Sequence, residues 1–108
     1  MKLPSEVFGQ VVVVHTPKEM HEDNADLIES FLTTIDQTKI VLDMDGTETI
    51  DSSGLAMLLD VQEILQGRDG QLKVCTANHS NRKILEITRL DEHLEVYESV
   101  IDAVRSFA

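Results

Sequence analysis

The residues best suited to chemistry lie between Val41 and Leu55, where an aliphatic stretch leads into a loop and then into two serines. Asp51, Ser52 and Ser53 stand at the predicted start of a helix. A helix start leaves backbone N–H groups free and carries the positive end of the helix dipole, so it can hold a phosphate. The same residues could serve structure alone, with Asp51 or Ser52 as the N-cap. The pattern leaves both interpretations open.

The same stretch also resembles the first motif of the haloacid dehalogenase-like phosphatases, an apolar strand followed by Asp-x-Asp-Gly-Thr. By that resemblance Asp43 would be the nucleophile and Asp45 the general acid/base, with Mg²⁺ between them, since carboxylates can attack phosphorus and hard cations prefer oxygen ligands. However, only 61 residues follow Thr47, and residues 97–108 hold no second acidic pair at a strand end to complete a metal site. We therefore expect no catalysis, no metal ion and no other cofactor.

The net charge of the chain limits the classes of partner that it can bind. Nine Lys and Arg residues stand against 20 Asp and Glu residues, which gives a formal net charge of −11. A surface this acidic repels nucleic-acid phosphates and anionic membrane surfaces, whereas a basic protein partner is compatible with it. We therefore expect no nucleic-acid partner.

The apolar runs and the single cysteine indicate the location of the protein and the role of its thiol. No apolar run exceeds five residues, and the four valines 11–14 are one of the longest, so none is long enough for a signal-peptide core or a membrane-spanning helix. We expect no membrane insertion and a cytoplasmic location. Cys75 lies in a predicted strand, so we expect a buried structural thiol rather than a nucleophile.

The elements that must position the serines alternate along the chain. A turn or small hairpin at Gly9-Gln10 leads into a strand at 11–14, and further strands are predicted at 39–44, 72–76 and 93–97. Helices are predicted at 24–35, 52–66 and 80–88 and from Ser99 to the end, with these side chains among those facing inward: Leu55, Leu58, Leu59, Gln62, Ile84, Ile87, and either Val100 or Ile101. This alternation predicts one α/β domain, 1–108, with a mostly parallel sheet of four to five strands and about four helices.

Residues 47–59, which read Thr-Glu-Thr-Ile-Asp-Ser-Ser-Gly-Leu-Ala-Met-Leu-Leu, resemble the signature of STAS domains, and most closely that of the bacterial anti-sigma factor antagonists. The family pattern is an apolar strand, a short loop, Ile-Asp-Ser-Ser/Thr-Gly-Leu and an apolar helix. The strand at 72–76 and the segments 90–94 and 96–99 also fit the second half of the family. The resemblance therefore covers nearly the whole chain.

The resemblance implies a STAS-like fold and a non-catalytic binding module that is switched by phosphorylation. By position, Ser52 is the phosphorylation site, with Ser53 as the alternative, and Asp51, Gly54 and Leu55 belong to the partner-binding surface. In the family, the unphosphorylated antagonist sequesters an anti-sigma factor, often a serine kinase, and so frees the sigma factor. Phosphorylation by that kinase separates the complex, and a PP2C-type phosphatase resets it.

One segment departs from the family pattern. Where the family often has Gly-Glu-Leu-Asp, this chain has Lys-Glu-Met-His at 18–21. His21, Glu22 or Asp23 would have to replace the missing aspartate, and the sequence leaves that choice open; we place His21 in the expected partner-binding surface. Some STAS domains are instead subunits of transporters, such as the ABC lipid-transport type, or of other signalling assemblies. The altered segment keeps that alternative open.

Overall fold

The computed structural model describes residues 1–108 and contains one main sheet, one small sheet and four α-helices. The strands are β1 (Ser5–Phe8), β2 (Val11–His15), β3 (Glu19–Met20), β4 (Lys39–Asp43), β5 (Thr49–Ile50), β6 (Gln71–Cys75) and β7 (Glu95–Tyr97). The helices are α1 (Ala25–Thr34), α2 (Ser52–Gln66), α3 (His79–Ile87) and α4 (Val100–Arg105), and a 3-10 turn spans Leu90–Glu92.

The main sheet has the spatial order β1-β2-β4-β6-β7. Only the β1–β2 pair is antiparallel, and it forms the hairpin around Gly9. The other three pairs are parallel, so the predicted mostly parallel α/β fold with about four helices is confirmed. The register aligns His15 with Asp43 and Asp43 with Cys75. The loops that follow β2, β4 and β6 therefore meet at one edge of the sheet.

The sheet separates two aliphatic layers of unequal size. Val12 and Val14 point into the larger layer with α1, α2 and α3, whereas Val11 and Val13 point into a smaller layer under α4. Central strands buried on both faces read as continuous apolar runs rather than as an alternation. The Cys75 thiol lies in the smaller layer, and burial first, with nearby carboxylates second, raises its pKa to about 12. The prediction of a buried structural thiol is confirmed.

Two side chains predicted to face inward are instead exposed, so those predictions are wrong, and of the alternatives Val100 and Ile101 it is Val100 that packs against the smaller layer. Leu59 is 38% exposed, Ile87 70% and Ile101 62%. In α3 the buried side is formed by Asn81 and Leu85, and in α4 it is formed by Ala103, whose small side chain packs against the sheet. These last two helices have nine and six residues, which is too short for apolar periodicity to define the buried side.

Two short elements were not predicted. The β3–β5 pair forms a separate two-stranded parallel sheet, and the 3-10 turn at Leu90–Glu92 lies between the predicted helix 80–88 and the predicted strand 93–97. Both elements depend on contacts that local sequence patterns do not encode. No helix has the length and apolar composition that crossing a bilayer requires.

Gln62 joins α2 to the start of β6. Its side chain is buried; Oε1 accepts a hydrogen bond from the N–H of Leu72 at 2.7 Å, and Nε2 donates to the carbonyl of His93 at 3.3 Å. We expect Gln62→Leu to lower the free energy of unfolding by about 1–3 kcal/mol, because a buried N–H loses its acceptor. Urea unfolding measures this loss. Gln66→Leu, one turn later and exposed, is the matched control and should change stability little. Equal stability of the two variants would contradict the prediction.

Candidate functional site

Asp51 is the N-cap of α2 and connects three parts of the chain. One carboxylate oxygen accepts from the N–H of Gly54 at 2.9 Å, and the other accepts from the N–H of Glu22 at 3.0 Å. The N–H of Asp51 donates to the carbonyl of Met20 at 3.1 Å. Of the two N-cap candidates, Asp51 and Ser52, the structure therefore selects Asp51. It also connects the helix start to the altered segment that follows β2.

The environment of Asp51 keeps it ionised. The N–H of Gly54 holds the pKa of the Asp51 carboxyl below its ordinary value, against a smaller opposing effect of desolvation. The N–H of Glu22 and the nearby His21 lower this pKa further. A fixed negative charge therefore stands directly before Ser52 at neutral pH.

Gly54 permits a close backbone contact between α2 and β3. A Cβ atom at this position would lie 2.3 Å from the carbonyl oxygen of Met20 and 3.0 Å from Cγ2 of Ile50. The parallel pairing of Met20 with Ile50 sets this distance, because it holds both strands beneath the first turn of α2. Gly54 is itself buried, so its lack of a side chain serves packing within the chain.

The two serines have different surroundings. Ser52 is exposed, and neither its hydroxyl nor that of Ser53 has a hydrogen-bond partner within the chain. Ser53 is half-buried and lines a groove between α1 and α2. The charged residues of that groove are all acidic: Glu22, Asp26, Glu29 and Asp60. Leu55, one turn into the helix, is half-buried against the larger aliphatic layer. The exposed polar group at the helix start is therefore Ser52.

The altered segment 18–21 contributes to this site. Nε2 of His21 lies 2.9 Å from Oγ1 of Thr49, which belongs to β5, the strand just before Ser52. Asn24 holds the segment in place, since its Oδ1 accepts from the N–H of His21 and its Nδ2 donates to the carbonyl of Glu19. Of the three residues left open by the sequence, His21 contacts the site through its side chain.

The other two candidates in that segment differ from His21. Glu22 contributes only its backbone N–H to the carboxylate of Asp51, and Asp23 is exposed without a contact to the site. Sequence reasoning missed Asn24 and Thr49. Asn24 stands at the start of the predicted helix 24–35, and asparagine is a common N-cap residue. Nothing in the local sequence, however, indicates that its side chain bonds to the carbonyl of Glu19.

The loop between β4 and β5 is held by a buried amide. Nδ2 of Asn81, in α3, donates to the carbonyls of Met44 and Thr47 at 2.9 Å each. The side chain of Thr47 is fully buried and donates to the carbonyl of Pro17. These bonds fix the path of the chain from β4 toward Asp51. Asn81 was also missed, because a polar residue inside a predicted helix gives no sign of a distant partner.

The two aspartates of the phosphatase-like motif accept hydrogen bonds from backbone N–H groups, and Asp43 also contacts a histidine. Asp43 lies 2.8 Å from Nδ1 of His15 and accepts from the N–H of Asp45, while Asp45 accepts from the N–H of Ala77. His15 also contacts Glu6 at 2.6 Å. Partial burial lowers the pKa of His15, but the bonds to the two carboxylates outweigh burial and raise it. No group of three or more His, Cys, Asp or Glu residues has the arrangement of a metal site.

We expect Gly54→Ala to destabilise the protein by about 3 kcal/mol, because its Cβ would overlap the rigid backbone of Met20. Gly46→Ala is the matched control, since its Cβ would meet only one atom, at 3.7 Å. Thermal unfolding of both variants measures the difference. A Gly54→Ala variant as stable as Gly46→Ala would show that the contact is not tight.

We expect Asp51→Asn to remove a pH-dependent part of the stability. The folded pKa of Asp51 is lowered, so its contribution is complete at neutral pH and is lost as pH falls below about 4 toward that lower pKa. The wild type should therefore be more stable than the variant at pH 7, and the gap should close in acid. Urea unfolding across this range measures the gap, with the exposed Asp36→Asn as control. A gap independent of pH would contradict the assignment.

Comparison with known proteins agrees with the architecture. A family model of the STAS domain matches residues 2–103. A Thermotoga maritima protein with the provisional name anti-sigma factor antagonist is 23% identical over 107 residues, which covers 94% of this chain and 93% of that protein. The anti-sigma F factor antagonist of Paenibacillus polymyxa is 22% identical over 108 residues, which covers 96% of this chain and 92% of that protein.

Solved structures share the fold. The Bacillus anti-sigma factor antagonist SpoIIAA in its unphosphorylated form has a TM-score of 0.80 at 17% identity, covering 98% of this chain and 96% of that one. Its phosphorylated form has a TM-score of 0.73 at 18% identity, covering 99% and 100%. The family match over nearly the whole length, together with the capped Asp-Ser-Ser-Gly helix start, shows that this chain belongs to the STAS domain family.

Proposed function

We propose that this protein is an anti-sigma factor antagonist, a non-catalytic module that binds an anti-sigma factor and is switched by phosphorylation of Ser52. The observation that carries the proposal is the exposed, unpaired hydroxyl of Ser52 at the first position of α2. The names of the Thermotoga and Paenibacillus relatives support the same role. The whole of residues 1–108 would act as one STAS domain in the cytoplasm.

The difference between the two serines favours Ser52 as the acceptor. A kinase must bring the hydroxyl oxygen into its own active site, and the Ser52 hydroxyl is exposed and free of intrachain bonds. Ser53 is half-buried against the groove between α1 and α2, where a phosphate would meet Glu22, Asp26 and Asp60. Like-charge repulsion there would oppose modification of Ser53.

A phosphate on Ser52 would separate the complex without unfolding the protein. It adds about −1.5 to −2 charges directly after the ionised Asp51. Within the chain, the helix N-terminus offsets this repulsion by about 0.3–1 kcal/mol. In an interface, the added charge and bulk would oppose a partner that contacts the start of α2, at a cost of several kcal/mol. The expected consequence is lost binding with the fold retained.

The groove beside the site favours a basic partner surface. Asp26 and Glu29 line it from α1, and Asp60 lines it from α2. Burial is the main cause that raises the pKa of Glu29, and the negative charges of the neighbouring Asp60 and Asp26 add to it. Arginine or lysine side chains of an anti-sigma factor would relieve that repulsion. We propose that this anti-sigma factor is a serine kinase and that a PP2C-type phosphatase removes the phosphate.

The altered segment 18–21 does not weigh against this proposal. Met20 pairs with Ile50 and contacts Gly54, and His21 contacts Thr49, so the segment keeps the backbone frame of the site. The change from the family pattern had kept a transporter subunit open as the alternative. Co-purification with a transporter ATPase and without a kinase would favour that alternative.

The proposal is tested with a serine-kinase anti-sigma factor from the same genome. We expect incubation with this kinase and ATP to add one phosphate, located on Ser52 by intact mass and peptide mapping. Ser52→Asp should weaken binding at least about 100-fold, equivalent to about 2.7 kcal/mol, because it places a second charge beside Asp51. Ser52→Ala should bind like the wild type and accept no phosphate.

Ser53→Ala is the matched control, and it should still be phosphorylated and released. Circular dichroism of Ser52→Asp checks that the fold is retained. Phosphate on Ser53 alone would refute the assignment of the acceptor. Wild-type affinity of Ser52→Asp would refute the switch.

A further inference from the structure

The face of the sheet opposite the Ser52 site is only partly covered. α4 has six residues and is the only helix on this side, whereas three helices cover the other side. Phe8 stays 50% exposed and Ile101 62% exposed. Together with Val100, Val104 and Arg105 they line an apolar groove of about 230 Å³, which we call the α4 surface. Contiguous exposed apolar side chains of this kind mark interaction surfaces.

The charges along α4 are ordered so that two antiparallel copies of the helix would complement each other. Glu98 stands just before the helix, Ile101 and the exposed Asp102 lie in its first turn, and Arg105 is its last residue. Arg105 makes no ion pair within the chain, and the Glu98 side chain is 79% exposed with only a long contact of 3.7 Å to Arg82. Both acids therefore lie toward the N-terminal end of the helix, and the base lies at its C-terminal end. Two copies of such a helix in antiparallel contact place acid opposite base at both ends.

We propose that the α4 surface is a homodimer interface, in which two copies of this chain meet across a two-fold axis near Ile101 with their α4 helices antiparallel. In such an interface both subunits use the same patch, so an acid at one end of the patch must lie opposite a base from the other end of the partner's patch. Glu98 of each copy would face Arg105 of the second copy, and Phe8 and Ile101 would be buried.

The distribution of acid also favours a second copy at this face. The chain carries a net charge of −11, which opposes self-association through a surface rich in carboxylates. The groove between α1 and α2 has four acidic residues and no base. The rim of the α4 surface holds Arg105, and the adjoining groove adds Lys39. The two copies would therefore approach through the less acidic side.

This arrangement leaves the two Ser52 sites on opposite outer faces. α2 belongs to the larger layer, whereas α4 belongs to the smaller layer on the other face of the sheet. Dimerisation would then be independent of Ser52 phosphorylation. Each dimer would present two sites that are free to bind partners.

Sedimentation equilibrium of the purified chain tests the proposal. We expect a reversible monomer–dimer equilibrium between micromolar and near-millimolar concentration. Ile101→Glu should raise the dimer dissociation constant at least about 100-fold, because it buries two unpaired charges. Ile87→Glu is the matched control, since Ile87 is 70% exposed on α3, and it should dimerise like the wild type.

Charge exchange tests the antiparallel arrangement separately. Arg105→Glu and Glu98→Arg should each weaken the dimer, and the double variant should restore it, because the two contacts then reverse together. Ser52→Asp should leave the dimer intact. A wild type that stays monomeric throughout would overturn the proposal, as would a dimer that Ile87→Glu disrupts and Ile101→Glu does not. A double variant as weak as the single ones, or a dimer lost in Ser52→Asp, would overturn it as well.

Discussion

One carboxylate organises the site in this protein. The two oxygens of Asp51 accept backbone N–H groups from Gly54 in its own helix and from Glu22 in a segment far away in sequence. The first bond begins α2 at Ser52, and the second draws the altered segment against the helix start. Gly54 then lets α2 lie against the carbonyl of Met20. The Ser52 hydroxyl stays free of hydrogen bonds because Asp51 caps the helix in its place. A serine that capped the helix would accept a backbone N–H with that oxygen.

The supporting frame comes from the register of the parallel strands. His15, Asp43 and Cys75 end their strands level with one another, so the loops after β2, β4 and β6 lie side by side. Asn81 and Thr47 then tie the middle loop to its neighbours through buried hydrogen bonds. A buried amide with two carbonyl acceptors costs little when both bonds form and much when one is lost. This arrangement fixes the loop that carries the chain to Asp51.

The sheet also separates two surfaces of different character. On one face, the Ser52 site adjoins a groove rich in carboxylates, where one more negative charge changes the local balance. On the other face, α4 leaves Phe8 and Ile101 exposed beside a basic residue. Because the central strands are buried on both sides, the two surfaces share a rigid core but no side chains. A charge added to one surface therefore has no direct contact through which to affect the other.

The sequence alone determined the alternating elements, the bounds of α2 from Ser52 to Gln66, the burial of Cys75 and the resemblance to STAS domains. These features follow from local patterns: apolar periodicity over a long helix, aliphatic strands, and a helix cap followed by a glycine. The candidate residues at the site were also visible as a motif, although the motif could not separate Ser52 from Ser53.

Only the tertiary structure decided which serine is exposed, which residue of the altered segment contacts the site and what Gly54 packs against. Each of these depends on neighbours from distant parts of the chain: the acidic groove of α1, Thr49 and the carbonyl of Met20. The exposure of Ile87 was missed, and the choice between Val100 and Ile101 was left open, for a related reason. A helix of two turns can present either side to the sheet, and the choice is made by what packs beneath it rather than by its own sequence.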